Sequence, residues 1–342
     1  MLSSSDYALL PGSLILVTGA NGYIASHVID ILLSKGYNVR GTIRNEKPWL
    51  DKYFSEKYGS GRFESVIVPA LDDSASWDNG NLDNVAGVLH IASDLSFRSN
   101  PSDVIPWMRE ATIHLLEAAE RQKTVKRFVI TSSAAAVIIP VAHTNGISVD
   151  ETTWNERSVK AAWDDSTPAT DRPYHIYAAA KIAQERAAWE FVKEKQPGFE
   201  LNVVIPNSAY GRILLPEITN SSMHKIGTVL MGNDRIVRSF CPQWFVNVED
   251  VARLHVIALL DPAVKGERIF GFASRFNWTD IISIMRKLRP DNRVIPNPPE
   301  NEGRDQNVIV CASRAEGLLR EFFDQPGWIT LEQSIADGIE GM

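Results

Sequence analysis

Apolar residues along this chain fall into short unbroken runs, and longer amphipathic stretches separate them. The runs near 14–18, 38–43, 65–69, 86–92, 127–132 and 202–206 are rich in Val, Ile and Leu. Such runs have the length and composition of strands buried on both faces. Between them, helical spacing is clearest over 22–35, 103–121 and 175–194. In the first of these, Ile24, Val28, Ile29, Leu32 and Leu33 mark one side. Alternation on this scale predicts right-handed crossovers and a doubly wound parallel α/β sheet. A late run, Glu267–Phe272, is expected to return to that sheet. The remainder is richer in Pro and Asn, as in Pro296-Asn-Pro-Pro-Glu-Asn-Glu-Gly303. The organisation expected is a sheet domain over 1–206, with the strand near 267–272 added, and a smaller, interrupted lobe over most of 207–342. The cleft between them would hold a small molecule.

The end of the first run carries the first chemical signal. Leu14-Ile-Leu-Val-Thr-Gly-Ala-Asn-Gly-Tyr-Ile-Ala places Gly19, Gly22 and Ala25 between a strand and a helix. Gly19 permits a tight turn, Gly22 lets the backbone approach a pyrophosphate, and Ala25 lets helix pack on strand. The helix start then faces the phosphates, so Thr18, Asn21, Tyr23 and Ile24 are expected around a dinucleotide in a Rossmann-type domain. About 20 residues on, an NAD binder usually places an acid on the ribose hydroxyls. Here Thr42 and Ile43 hold that place, with Arg40 before and Arg44 after them. A guanidinium matches the geometry and charge of a 2′-phosphate, so the expected cofactor is NADP(H).

A third signal is Arg127-Phe-Val-Ile-Thr-Ser-Ser, a buried run ending in hydroxyls. Ligands of parallel sheets bind at the carboxyl ends of strands, which puts Thr131, Ser132 and Ser133 at the active edge. A fourth is Tyr177-Ala-Ala-Ala-Lys181 within a predicted helix. Residues i and i+4 share a helix face, and a cation beside a phenol lowers the phenol's pKa. A tyrosine tuned in this way can protonate a carbonyl oxygen near neutral pH.

Composition narrows the partners. The chain has 342 residues, 44% of them apolar, and a net charge of −7 from 35 basic and 42 acidic residues. That balance gives no reason to expect a nucleic-acid-binding face. Cys241 and Cys311 are the two cysteines, which fits a reducing, cytoplasmic setting without a disulfide framework or a metal site. The start, Met-Leu-Ser-Ser-Ser-Asp-Tyr, lacks the pattern of a signal peptide. No apolar run approaches the roughly 20 residues that span a bilayer.

Together these motifs resemble the extended short-chain dehydrogenase/reductases. The resemblance is closest to the dihydroflavonol-reductase-like branch that includes fungal NADPH-dependent aldehyde and ketone reductases. It also covers Gly87-Val-Leu-His-Ile-Ala-Ser93, Ile205-Pro-Asn207 and Phe245-Val-Asn-Val-Glu-Asp-Val-Ala252. It implies a catalytic Ser133, Tyr177 and Lys181, with Tyr177 and Lys181 also on the cofactor. It implies cofactor contacts from His90, Ile91, Ala92 and Ser93, from Leu71 after the third strand, and from Pro206, Asn207 and Ser208 beside the nicotinamide. Ala70 stands where the family usually has an Asp, and His114 where many relatives have Asn. Leu95, Phe97, Ile139, Tyr174, Met223, Trp244 and Phe245 lie on segments expected around the substrate, together with Ser133 and Tyr177. The reading is an NADPH-dependent carbonyl reductase for a small aldehyde or ketone, as monomer or homodimer. A hydroxysteroid-type dehydrogenase, a sugar-nucleotide epimerase and a non-catalytic NADP sensor are the alternatives.

Overall fold

The computed structural model describes residues 4–141 and 143–342. Part of the N-terminal reading, on Met1–Ser3, lies outside them, as does Ala142 in the segment between Ser133 and Tyr177. The strands are β1 (Leu14–Val17), β2 (Asn38–Ile43), β3 (Phe63–Ile67), β4 (Val85–His90), β5 (Arg127–Thr131), β6 (Ser148–Val149), β7 (Glu200–Pro206), β8 (Ser208–Tyr210), β9 (Gln243–Asn247), β10 (Arg268–Gly271), β11 (Ser274–Phe276) and β12 (Val308–Ile309). The helices are α1 (Tyr23–Ser34), α2 (Pro48–Tyr58), α3 (Pro101–Arg121), α4 (Glu156–Trp163), α5 (Arg172–Lys195), α6 (Ser222–Gly227), α7 (Asp234–Ser239), α8 (Val248–Leu260), α9 (Trp278–Leu288), α10 (Ala312–Phe323) and α11 (Leu331–Gly338).

Seven strands form one parallel sheet in the order β10-β7-β5-β4-β1-β2-β3. The chain winds outward from β1 to β3, then returns to β4 and winds the other way. The loops after β1 and β4 therefore part company, and a crevice opens between them at the strand ends. Strand side chains alternate between the two faces. Ile15, Val17, Val129 and Val204 enter the core on the side of α1 and α8, whereas Leu16, Phe128, Ile130, Val203 and Ile205 enter the core on the side of α3 and α5. Each face is thus sealed by one helix pair, α1 against α8 and α3 against α5.

A buried arginine fixes α8 to β5. Arg127 donates to the carbonyls of Ala258, Leu259, Asp261 and Val264 at 2.6–3.1 Å. Carbonyls at a helix end lack intrahelical partners, and one guanidinium here satisfies several of them.

Over the strand ends lies a second, three-stranded sheet, β11-β9-β8. Its neighbours β8 and β9 are parallel, and β9 and β11 antiparallel. The short pair β6–β12 is parallel and ties the segment after β5 to the late chain. Between β9 and β11 the chain returns through α8 and β10 to the main sheet, which interrupts the lobe.

Candidate active site

The glycine loop is held from both sides. Gly19 has φ +69°, and a Cβ there would lie 3.2 Å from Cα and Cβ of Ala92, just after β4. A side chain is excluded by conformation and by space. The Gly19 N–H reaches Thr42 Oγ1 at 3.2 Å and the Ala20 N–H reaches Thr42 O at 2.9 Å. Thr42, where an NAD binder would carry an acid, thus braces the loop. Thr18 braces it toward β4: its Oγ1 accepts the N–H groups of Ile91 and Ala92, each at 3.0 Å. Tyr23 and His27, on the first turns of α1, reach Gly211 O and Arg212 O at 2.8 and 2.9 Å. Helix α1 is thereby joined to the lobe. Asn21 and Ile24 are half-buried beside the loop.

The two arginines of β2 differ. Arg40 donates to Glu64 Oε1 at 2.6 Å and to the carbonyls of Gly80 and Asn81, so it is committed to the edge of the sheet. Its Nε and Nη1 are thus engaged on the sheet, whereas Arg44 is not. Arg44 is exposed at the strand end and has no hydrogen bond or ion pair among the described residues. Leu71 is buried, and its carbonyl accepts the Trp77 indole N–H at 3.1 Å.

At the end of β5 three hydroxyls compete for one role, and their neighbours decide between them. Thr131 Oγ1 lies 2.7 Å from His255 Nε2, and Ser132 Oγ donates to the buried carboxylate of Glu185 at 2.6 Å. Both are spent on structure. Ser133 is half-buried, its Oγ accepts the Ala135 N–H at 3.2 Å, and its hydroxyl stands near enough to the Tyr177 phenol to favour the phenolate. Burial pushes the Tyr177 pKa up, and the Ser133 hydroxyl pulls it partly back. This departs from the lowered phenol expected from the i, i+4 spacing, and the lysine explains why. Lys181 is only 1% exposed, and its three ammonium protons go to Ser93 Oγ, to Thr131 O at 2.7 Å and to Gln184 Oε1 at 3.0 Å. Burial brings its pKa down to about 7, with the Glu185 carboxylate opposing that shift.

Glu185 is itself held by Arg268 of β10, whose Nε lies 2.6 Å from Oε1. The same guanidinium stacks 4.1 Å from the centre of the Trp154 ring and donates to the carbonyls of Glu151 and Thr153. One residue therefore anchors the segment between Ser133 and Tyr177 to the sheet. Sequence reading missed Gln184, Glu185, His255 and Arg268. The first two had a signal, since they follow Lys181 by three and four positions on one helix.

The expected substrate residues divide. Phe97 lies with its ring 5.2 Å from Tyr177 and 6.3 Å from Tyr174, and Lys225 Nζ stands 5.4 Å from its centre. Its φ is +50°, a costly conformation for a bulky residue and one that clusters at functional sites. Leu95 is exposed and Ile139 half-buried. Met223 and Phe245, by contrast, are enclosed in the core, Met223 against Gly338 and Phe245 stacked on Tyr210 at 6.5 Å. They are packing residues in this arrangement. Trp244 points to the opposite core, edge-on to Phe272, and its indole N–H is buried without a partner among the described residues. At the end of β7, Pro206 is buried while Asn207 and Ser208 are half-buried, and Asn207 Oδ1 caps the Ser208 N–H at 2.8 Å. His90 is buried beneath the crevice, between Thr18 Oγ1 and Thr112 Oγ1 at 3.0 and 3.1 Å.

A doubly wound sheet with a serine–tyrosine–lysine cluster beside its switch point has the form of a nicotinamide-linked oxidoreductase. Residues 15–270 match the NAD dependent epimerase/dehydratase family, and the chain belongs to it. It is 42% identical to ketoreductase nvfG of Aspergillus novofumigatus, over 99% of both chains. It is 36% identical to aldehyde reductase 2 of Sporidiobolus salmonicolor, over 98% of both. Among solved structures, Gre2 of Candida albicans in complex with NADPH superposes with a TM-score of 0.80 at 25% identity, covering 96% of this chain and 98% of that one. No helix among the described residues is long and apolar enough to cross a membrane.

Proposed function

We propose that the protein reduces a small aldehyde or ketone to the alcohol with NADP(H), Tyr177 giving the proton. The observation that carries this is the sorting of hydroxyls at β5: Ser133, whose oxygen accepts only the Ala135 N–H, alone keeps its proton for a ligand, and it stands beside Tyr177. Bound NADP(H) supplies the hydride. The glycine loop and the start of α1 fit its pyrophosphate, and unpartnered Arg44 fits the 2′-phosphate. Ser133 orients the carbonyl oxygen, and Tyr177 hands it a proton as negative charge develops there. Donors aimed at that oxygen stabilise the transition state more than the ground state. Lys181, its protons held by Ser93, Thr131 and Gln184, carries the charge beneath this edge. The ketoreductase and aldehyde reductase relatives support this class of reaction, an oxidoreductase acting on CH–OH or carbonyl groups.

For the substrate we infer an apolar or aromatic ketone or aldehyde, approached by Phe97 and Tyr174. A sugar nucleotide would need cations for a second pyrophosphate, and the two nearby candidates are engaged elsewhere. Arg253 is held by Glu249, Asp250 and Gln325, and Arg212 faces Glu340 at 3.7 Å. We assign 1–206, with the strand near 267–272, to the cofactor and 207–342 mainly to the substrate. Free Cys241 and Cys311 suit a reducing, cytoplasmic setting. The test is NADPH oxidation against a panel of ketones and aldehydes. Turnover with several of them is expected, and no turnover with any would reject the reading in favour of a cofactor sensor.

A further inference from the structure

Lys181 is connected to α3 by one buried side chain, and the proton positions along that connection are fixed by elimination. An ammonium only donates, so the Gln184 oxygen faces Lys181 and its nitrogen faces Thr112 Oγ1 at 3.1 Å. The Thr112 hydroxyl gives its own proton to Met108 O at 3.1 Å, and its oxygen accepts. It accepts from Gln184 and from His90 Nε2. His90 is set in turn by Thr18, whose oxygen already takes two backbone N–H groups and whose proton therefore goes to His90 Nδ1. Every polar side-chain atom in this chain has a partner, although Gln184, Thr112, His90 and Thr18 are all buried. Such a connected buried network is rigid.

The network does not move protons. It ends at the Met108 carbonyl, and a carboxamide keeps its protons. His114, in the position where many relatives carry Asn, has a buried Nδ1 with no partner among the described residues. We propose that Gln184 is a positioning residue for the reduction: its amide, locked by Thr112, holds the Lys181 ammonium between Thr131 and the end of β4 and so fixes its charge and its place at the crevice. This rests on the carbonyl-reductase reading for its effect on turnover, but not for its effect on cofactor binding.

The groups facing Lys181 make its titration legible. Tyr177 and Glu185 lie on its own helix, His90 comes from β4 and His255 from α8, while Arg268 of β10 holds Glu185. Burial brings His90 down to about 3 and His255 down to about 4, so neither changes charge near neutral pH. His255 Nδ1 faces the Val251 carbonyl at 2.8 Å, which makes its Nε2 an acceptor for Thr131 and leaves that ring neutral. A transition near neutrality in this site thus reports on the lysine.

The test compares Gln184→Met, which keeps length but cannot bond, with Gln184→Glu, which places a carboxylate on the ammonium. The readouts are the pH dependence of kcat/KM, the NADPH Kd of the free protein between pH 6 and 9, and Tm. With Met, the basic limb is expected to move down by about one pH unit, and NADPH binding at pH 8 to weaken by about tenfold. With Glu, the limb is expected to move up. Opposite shifts cannot come from a packing defect, which would lower Tm in both variants and leave the limb where it is. That second pattern would overturn the proposal. If the Glu variant does not fold, Thr112→Val takes its place, since it frees the amide from α3. A smaller downward shift is expected there, and an unmoved limb again overturns the proposal. A wild type that turns over no carbonyl would sink the reaction assigned above, yet the Kd arm would still decide the role of Gln184.

Discussion

Two cations stand at the ends of the cofactor crevice, and they are held in opposite ways. Lys181 is enclosed, and each of its protons has a named acceptor. Arg44 is exposed at the end of β2 and makes no hydrogen bond or ion pair among the described residues. The first is part of the frame, because moving it disturbs Ser93, Thr131 and Gln184 together. The second is separable from the frame. Chemistry and cofactor preference should therefore respond to different mutations, and four measurements can break or sharpen that division.

The largest effect is expected at the frame. Tyr177→Phe removes the proton donor and keeps the ring, so turnover should fall by about 10²–10⁴-fold while NADPH still binds. Near-normal turnover at neutral pH would remove Tyr177 from the mechanism. Next comes the separable cation. Arg44→Ala should weaken NADPH by about 10- to 100-fold and leave NADH nearly as it was. Equal weakening of both cofactors, measured as dissociation constants, would return Arg44 to ordinary surface charge. A smaller effect concerns protons. Folded Lys181 titrates near 7, well below the usual lysine value, so at pH 8 it is mostly neutral. A cofactor that bonds the ammonium must therefore bring a fraction of a proton with it at pH 8 and almost none at pH 6. Calorimetry in buffers of different ionisation heat reads that uptake, and equal uptake at both pH values would detach Lys181 from the cofactor. The smallest effect is expected at Phe97→Gly, which removes the ring and relieves the φ of +50°. KM for aromatic ketones should rise by about a fewfold, with Tm unchanged or slightly higher. Unchanged KM across a ketone panel would take the ring out of the substrate site.

The parts of this site that were legible in the sequence are those fixed by short-range geometry. Tyr177 and Lys181 are four positions apart, and a helix puts them on one face whatever surrounds it. Gly19 and Gly22 follow a strand and precede a helix, so their role was set by local order. What was hidden depended on register between distant segments. Arg40 and Arg44 look alike along β2, but the pairing of β2 with β3 places Arg40 opposite Glu64 and leaves Arg44 beyond the pair. Thr131, Ser132 and Ser133 are three similar hydroxyls until His255 and Glu185 engage two of them. Apolar residues were the least legible. Nothing in Met223 or Phe245 separates a pocket wall from packing, and both are enclosed. The helix α8 is buried nearly all round, which blurs the amphipathic period that revealed α1.

Arg268 also orders events in time. It reaches back 83 positions to Glu185 and 115 to Thr153, and it lies against Trp154. During synthesis at about 5–20 residues per second, the ribosome needs on the order of 4–17 s to travel from Glu185 to Arg268. Throughout that interval the nascent chain carries a carboxylate at its catalytic edge without the counter-ion that will bury it. The serine segment likewise waits for its clamp. The sheet over residues 1–206 therefore stays unfinished until the strand that carries Arg268 has left the exit tunnel. A fragment ending at residue 206 would inherit the glycine loop, but its catalytic edge would remain unassembled.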